Sequence, residues 1–333
     1  MEVKALKFGG LTAKRPIVQG GMGVGVSLSS LAGNVAKCGG IGTISGVHPG
    51  YREADFKENP FRANLRAIGN ELEKAKEIAN GGIIGFNFMT VMNHYEEYVK
   101  EAIAAGADFI VSGAGLPVNL AKYAAGTRAA ILPIVSSARA LKLIVKQWQR
   151  ADRLPDAVVV EGPLAGGHLG YPYGHLVDGT FDTLEDSLVD VVDYVRELEE
   201  KNGVIIPVIA GGGVRSHADM ERLMALGASG VQVGTKFVAT EECDAAPAFK
   251  QAYLRSRKED VQLIESPVGL AARTIRNSFL EKVEKQGRIP VQRCYQCMNH
   301  CKQAETKYCI SQALIDAVQG REGLVFCGAN AYE

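Results

Sequence analysis

The chain has 333 residues, 47% of them apolar and 22% charged. That mix excludes a mainly disordered polypeptide, which could not bury enough apolar surface to offset the entropy of ordering. Lys plus Arg and Asp plus Glu both number 37, for a formal net charge of zero, so no global field draws the chain to nucleic acid or to an anionic membrane.

Residues 1–10 lack the basic-then-apolar layout of a signal peptide. No run reaches the length of a membrane span. A cytoplasmic protein acting on a small molecule is expected, and the apolar share leaves room for a homo-oligomer interface. Short apolar runs then recur at 16–19, 41–45, 83–88, 108–112, 130–135, 157–161, 205–210 and 230–233. Near-continuous apolar runs of this kind mark parallel strands covered on both faces. Between them, helical spacing predicts helices over 65–79, 94–105, 138–149, 184–199, 216–226 and 247–255. The first carries Leu65, Ile68, Leu72, Ala75 and Ile78 on one face. Ala105-Gly106-Ala107 and Leu226-Gly227-Ala228 look like two copies of one helix-cap-strand junction.

Strand–helix alternation of this length predicts an α/β fold, a (β/α)8 TIM barrel. The rival is an open doubly wound sheet. It would need an acidic ribose ligand after a Gly-rich turn, and Gly21-Met22-Gly23-Val24-Gly25 has no convincing one. The barrel is assigned to 1–258. A C-terminal extension, 259–333, is expected to pack on it and contains a group of cysteines.

In such barrels the chemistry lies at the carboxyl ends of the strands. Ile209-Ala210-Gly211-Gly212-Gly213-Val214 follows the seventh strand and Val233-Gly234-Thr235 the eighth. Paired glycine loops there suit a phosphate, because bare backbone N–H groups can approach its oxygens. Tight turns alone are the plainer alternative. Glu161 ends the sixth strand, and a long loop over 162–181 follows it with His168. Neutral imidazole near pH 7 suits a general base, although a lone loop histidine can equally be a solvated side chain. His175 shares the loop. His48, His94 and His217 have no comparable setting. The loop over 162–181, which carries Tyr171 and Tyr173, is expected to line or cover the substrate pocket, its aromatic rings excluding water.

Five groups occur in order: Pro16-Ile17-Val18-Gln19-Gly20-Gly21-Met22, Gly85-Phe86-Asn87, Glu161 with Ala165-Gly166-Gly167-His168, the 209–213 loop, and Val233-Gly234-Thr235. In these the chain resembles the nitronate monooxygenase family, formerly 2-nitropropane dioxygenases, which includes the similar flavin-dependent enoyl-ACP reductases. The resemblance covers about the first three quarters of the chain and implies a TIM barrel with non-covalent FMN. It implies that Gly21 and Met22 run under the flavin through their backbone, and that Asn87 and Glu161 hold the ring or ribityl chain. Gly166 and Gly167 would shape the loop beside it. Gly212, Gly213, Gly234 and Thr235, with Gly211 in the same loop, would hold the phosphate. His168 would face the substrate. The implied activity is oxidation of alkyl nitronates with oxygen. The alternative is an enoyl-thioester (enoyl-ACP) reductase using NAD(P)H. A barrel that binds a phosphorylated ligand without catalysis is a third reading.

The tail departs from the simplest members of that family. Cys294, Cys297, Cys301 and Cys309 follow a C-x2-C-x3-C-x7-C spacing. Four thiolates so spaced suit a [4Fe–4S] cluster or a structural zinc. Unligated thiols packed as small hydrophobes are the bland alternative. His300 could replace a cysteine. Cys327 reads as part of an apolar end, and Cys38 and Cys243 as helix-packing residues.

Overall fold

A computed structural model describes residues 4–298 and 301–333. The barrel strands are β1 (Ile17–Gln19), β2 (Ile41–Ser45), β3 (Ile83–Met89), β4 (Phe109–Gly113), β5 (Ala130–Val135), β6 (Val158–Glu161), β7 (Val208–Gly211) and β8 (Gly230–Val233). They pair in parallel in chain order, and β8 pairs with β1 to close the ring. The expected (β/α)8 barrel is therefore the observed architecture.

Closure explains the apolar runs. Side chains alternate across a strand, and here both faces are buried. Phe109 and Val111 face the barrel axis, while Ile110 faces the surrounding helices. Val159 points in, whereas Val158 and Val160 point out. Strand β7 starts at Val208 rather than at 205. Pro207 has no N–H for the ladder, and Ile205 is 85% exposed.

The amino-terminal end of the barrel is plugged by a hairpin for which the sequence reading has no element. Leu6–Phe8 pairs with Leu11–Ala13 around Gly9 and Gly10. Both glycines have positive φ, +52° and +80°, as a two-residue hairpin turn with right-handed strand twist requires. Leu6, Phe8 and Ala13 join the inner core, and Phe8 meets Phe109 edge-on at 6.1 Å between centroids.

Pro247–Arg255 forms where helical spacing places it. Pro60–Ala79 begins five residues before the expected 65, because the Asn59 side chain accepts the Arg62 N–H and Pro60 occupies the first turn. The loop over 162–181 has structure of its own, a short strand Gly167–Leu169 and a helix Tyr173–Asp178. Two tail strands, Val261–Glu265 and Ala271–Ile275, form an antiparallel pair, and the second also pairs with Gly167–Leu169. The helix Ile310–Val318 buries Ile315, Ala317 and Val318 in the main core. Among the described residues no helix is long and apolar enough to cross a membrane.

If the hairpin is part of the core, Phe8→Ala should cost about 3–5 kcal/mol in urea denaturation, the range for buried aromatic truncations. A loss under about 1 kcal/mol would mean that the plug carries little of the packing.

Candidate active site

The alternation that fills the barrel also builds the site. Ile83 faces inward, so Gly85 and Asn87 do too; Val159 places Glu161 on the axis, and Ile209 places Gly211 there. The register sets Ser45 beside Asn87 and Glu161 beside Gly211, with Gln232 on Gly211's other side. The lower layers are apolar. The top row is polar or small, and it floors a cavity at the carboxyl ends of the strands.

Glycine loops shape one side of this cavity. Gly212 and Gly213 have φ of +99° and +97°, a region that side chains other than glycine's rarely adopt. A Cβ on Gly212 would lie 2.8 Å from the Gly162 carbonyl oxygen. Gly234 and Thr235 line the adjoining wall. Opposite, a Cβ on Gly21 would sit 2.3 Å from Asn87 Cβ, so only a bare backbone can pass there. Gln232 Oε1 is buried without a hydrogen-bond partner on the cavity wall. An unpaired acceptor is costly unless a ligand supplies the donor. A bare-backbone cradle with an orphan acceptor fits a phosphorylated molecule carrying a polar ring, as FMN does.

Glu161, His168 and Arg273 are the ionisable groups here. Burial pushes the Glu161 carboxyl up to about 7, and the Arg273 guanidinium partly opposes this. Arg273 is itself buried and donates to the Ala165 carbonyl. Burial holds His168 down at about 4, so its imidazole is neutral at pH 7. His168 Nε2 lies 2.8 Å from Ser266 Oγ, and Phe326 packs edge-on against the ring. The pairing of Ala272 with His168 ties the loop to the tail.

Of the residues singled out from sequence, Gly21, Met22, Asn87, Glu161, Gly166, Gly167, His168, Gly212, Gly213, Gly234 and Thr235 line this one cavity. Gly211 stays in its strand, where its missing side chain makes room for Gln232, 3.1 Å from the Cβ it lacks. The loop over 162–181 lines the cavity as expected, but not through its tyrosines. Leu164, Ala165 and the glycines before His168 form the wall, whereas Tyr171 packs near Leu169 and Leu176 with its hydroxyl on the Glu161 carbonyl, and Tyr173 is exposed.

The sequence reading missed Gln232, the one polar side chain in Gly-Val-Gln-Val, although that break in an apolar strand was a usable signal. It also missed the tail's part in the wall. Residues 326–330 border the cavity, and a Cβ on Gly328 would come within 2.6 Å of Thr235 Oγ1. Cys38 is exposed at a helix end rather than packed, while Cys243 is buried as expected.

A second, smaller chamber shares His168, Val47, Met89 and Leu314 with the first. His48 lies on its wall, buried and held by burial at about 4, a setting its sequence neighbourhood does not betray. Cys297 borders the same chamber, and burial pushes its thiol up to about 11. Cys294, Cys297, Cys301 and Cys309 are all free thiols. Among the described residues no three His, Cys, Asp or Glu side chains gather as around a single metal ion. His300 lies outside the described residues.

The family description "Nitronate monooxygenase" matches residues 4–333, so it continues through the tail and beyond the three quarters covered by the sequence motifs. A probable nitronate monooxygenase of Staphylococcus saprophyticus is 25% identical over 308 residues, spanning 86% of this chain and 82% of that protein. A probable nitronate monooxygenase of Staphylococcus aureus strain Newman is 26% identical over 305 residues, 84% of this chain and 81% of its own. Among solved structures, FabK from Thermotoga maritima has a TM-score of 0.70 at 24% identity, covering 96% of this chain and 87% of that one. Nitroalkane oxidase from Streptomyces ansochromogenes has a TM-score of 0.66 at 21% identity, covering 95% and 90%. At these identities the structural likeness speaks for the fold alone.

The raised Glu161 pKa makes a stability prediction with a definite sign. The contribution from its neutral form is present below about 4.5 and fades as pH rises through about 7. His168 works the other way, its contribution fading as pH falls from about 6.5 towards 4. In apoprotein, Glu161→Gln should therefore gain about 1–3 kcal/mol relative to wild type between pH 5 and pH 8, read from urea midpoints. A pH-independent difference between the two proteins would contradict the assignment.

Proposed function

The chain belongs to the nitronate monooxygenase family, and on that footing we propose that it is an FMN-dependent oxidoreductase that oxidises alkyl nitronates with oxygen. One observation carries the reading: a side-chain-free cradle and the half-buried His168 imidazole share one cavity.

In this reading Gly212, Gly213, Gly234 and Thr235 hold the FMN phosphate through backbone N–H groups and one hydroxyl. Gly21 and Met22 offer backbone to the ring. Asn87, Glu161 and Gln232 meet its polar edge, with Gln232 Oε1 gaining the donor it lacks. Bound FMN supplies the redox chemistry, accepting electrons from substrate and passing them to oxygen. The protein's own part is position and proton control. His168 Nε2 is paired with Ser266 Oγ at 2.8 Å; in the tautomer in which Ser266 accepts from Nε2–H, Nδ1 would be left to take or hold a proton near the carbon bearing the nitro group. Burial keeps that imidazole unprotonated before substrate arrives. Arg273 braces the loop through the Ala165 carbonyl, so His168 stays over the cavity as the site fills.

The test is oxygen uptake with an alkyl nitronate, alongside flavin content from the visible spectrum. Wild type should carry flavin and consume oxygen. His168→Ala should retain flavin and lose about 10²–10⁴-fold in kcat/KM, the usual weight of a positioned acid–base group. A colourless protein after incubation with excess FMN would overturn the flavin reading. Anaerobic bleaching by NADH or NADPH with no nitronate-dependent oxygen uptake would assign the enoyl-thioester reductase instead.

A further inference from the structure

The smaller chamber has no part in that reading, yet it borders the proposed base. His168, Val47, Met89 and Leu314 are walls of both spaces. Beyond them the lining of the chamber is mostly apolar, with Val91, Met92, Val268 and Ile310. None of its described lining residues is Asp, Glu, Lys or Arg. A charged group brought here would lose its water without meeting a counter-ion.

Three polar residues on its wall are spent on one another. Ser311, His48 and Asn64 stand in the order of a nucleophile, a base and its orienter, with His48 Nε2 2.8 Å from Ser311 Oγ and His48 Nδ1 3.3 Å from Asn64 Nδ2. The hydrogen bonds run the wrong way for that chemistry. With Asn64 Oδ1 accepting from Gly50 N–H at 3.1 Å, the amide turns its Nδ2 donor to the ring, and Nδ1 accepts. The ring is neutral, so its one proton sits on Nε2 and points at Ser311 Oγ, which leaves the serine no base. The trio is an uncharged wall and not a second reaction centre.

Asn93 is different. Its N–H donates to the Cys297 carbonyl at 3.0 Å and its Nδ2 to the Gln296 carbonyl at 2.7 Å, so the tail is moored to the barrel along this wall. Its Oδ1 is buried and has no hydrogen-bond partner among the described residues. A buried acceptor left so is costly until a ligand brings a donor.

We propose that this chamber receives the side arm of the substrate whose reacting carbon lies at His168, and that it selects an uncharged chain of methylenes carrying one hydroxyl or amide N–H for Asn93 Oδ1. The identity of the reacting end rests on the nitronate reading. The arm rests on the shared wall, the lack of charge around the chamber and the orphan acceptor. Asn93 is then a specificity-determining residue, and the barrel and the tail together decide which substrates fit.

The test is calorimetric titration of the full chain, without oxygen, with unionised 1-nitropropane through 1-nitrohexane, their ω-hydroxy forms and their ω-carboxylates. Affinity should rise about fourfold per added methylene until the chamber is full. At the best length an end hydroxyl should cost less than about twofold, and an end carboxylate at least about tenfold. Val91→Phe, which fills the chamber, should flatten the methylene gain. Asn93→Leu should keep that gain and make the hydroxyl cost about tenfold. Flat affinity across chain lengths, a carboxylate bound as well as a methyl end, or an unchanged methylene gain in soluble Val91→Phe would overturn the chamber's role. An equal hydroxyl cost in wild type and soluble Asn93→Leu would overturn the selection by Asn93. Should the variants prove insoluble, the wild-type series decides. Binding is read without turnover, so a methylene gain without nitronate-dependent oxygen uptake would count against the proposed oxidation and not against the chamber.

Discussion

Every strand of the closed ring must hide both of its faces, and the rest of the molecule follows from that constraint. Alternation sends Phe109, Val111, Val159 and Ile209 to the axis and their neighbours to the helices. Carried one step further along each strand, it places Ser45, Asn87, Glu161 and Gln232 on the same axis above the apolar layers. The site is thus the uppermost layer of the core, with polar groups where the next apolar layer would stand. Its rigidity comes from the packed layers beneath it, closed from below by the hairpin around Gly9 and Gly10.

The tail completes what the barrel leaves open. The strand Ala271–Ile275 pairs with the loop strand that carries His168, and Arg273 from the same strand reaches the Ala165 carbonyl. Thr274 Oγ1 holds the Val325 carbonyl at 2.6 Å, and Cys327 N–H donates to the Arg273 carbonyl at 3.1 Å. Through these contacts residues 326–330 reach the glycine loops after β7 and β8, where Gly328 passes Thr235. A segment distant in sequence thereby fixes both the proposed base and one wall of the cradle.

The barrel was legible because two-sided burial writes itself as unbroken apolar runs, and all eight strands stand near the runs that announced them. The glycine loops and His168 were legible because glycine and an ionisable side chain at strand ends are rare enough to signal. The hairpin over 6–13 was not read, since each strand has three residues, too few for periodicity to register. Its Gly-Gly turn was the usable clue. Tyr171 and Tyr173 misled because an aromatic loop beside a site can pack inward on its own helix as readily as over a ligand. Gln232's role depends on register with Gly211, and the environment of His48 on contacts with residue 311. Neither is encoded locally.

The central claim is that the side-chain-free cradle at the ends of β7 and β8 grips a terminal phosphate. Calorimetric titration of apoprotein with FMN and with riboflavin isolates that group. The account predicts one FMN per chain, with riboflavin binding at least about a hundredfold more weakly, a difference of about 2.7 kcal/mol from charge-assisted N–H contacts. Equal affinity for the two, or binding of neither, would contradict it.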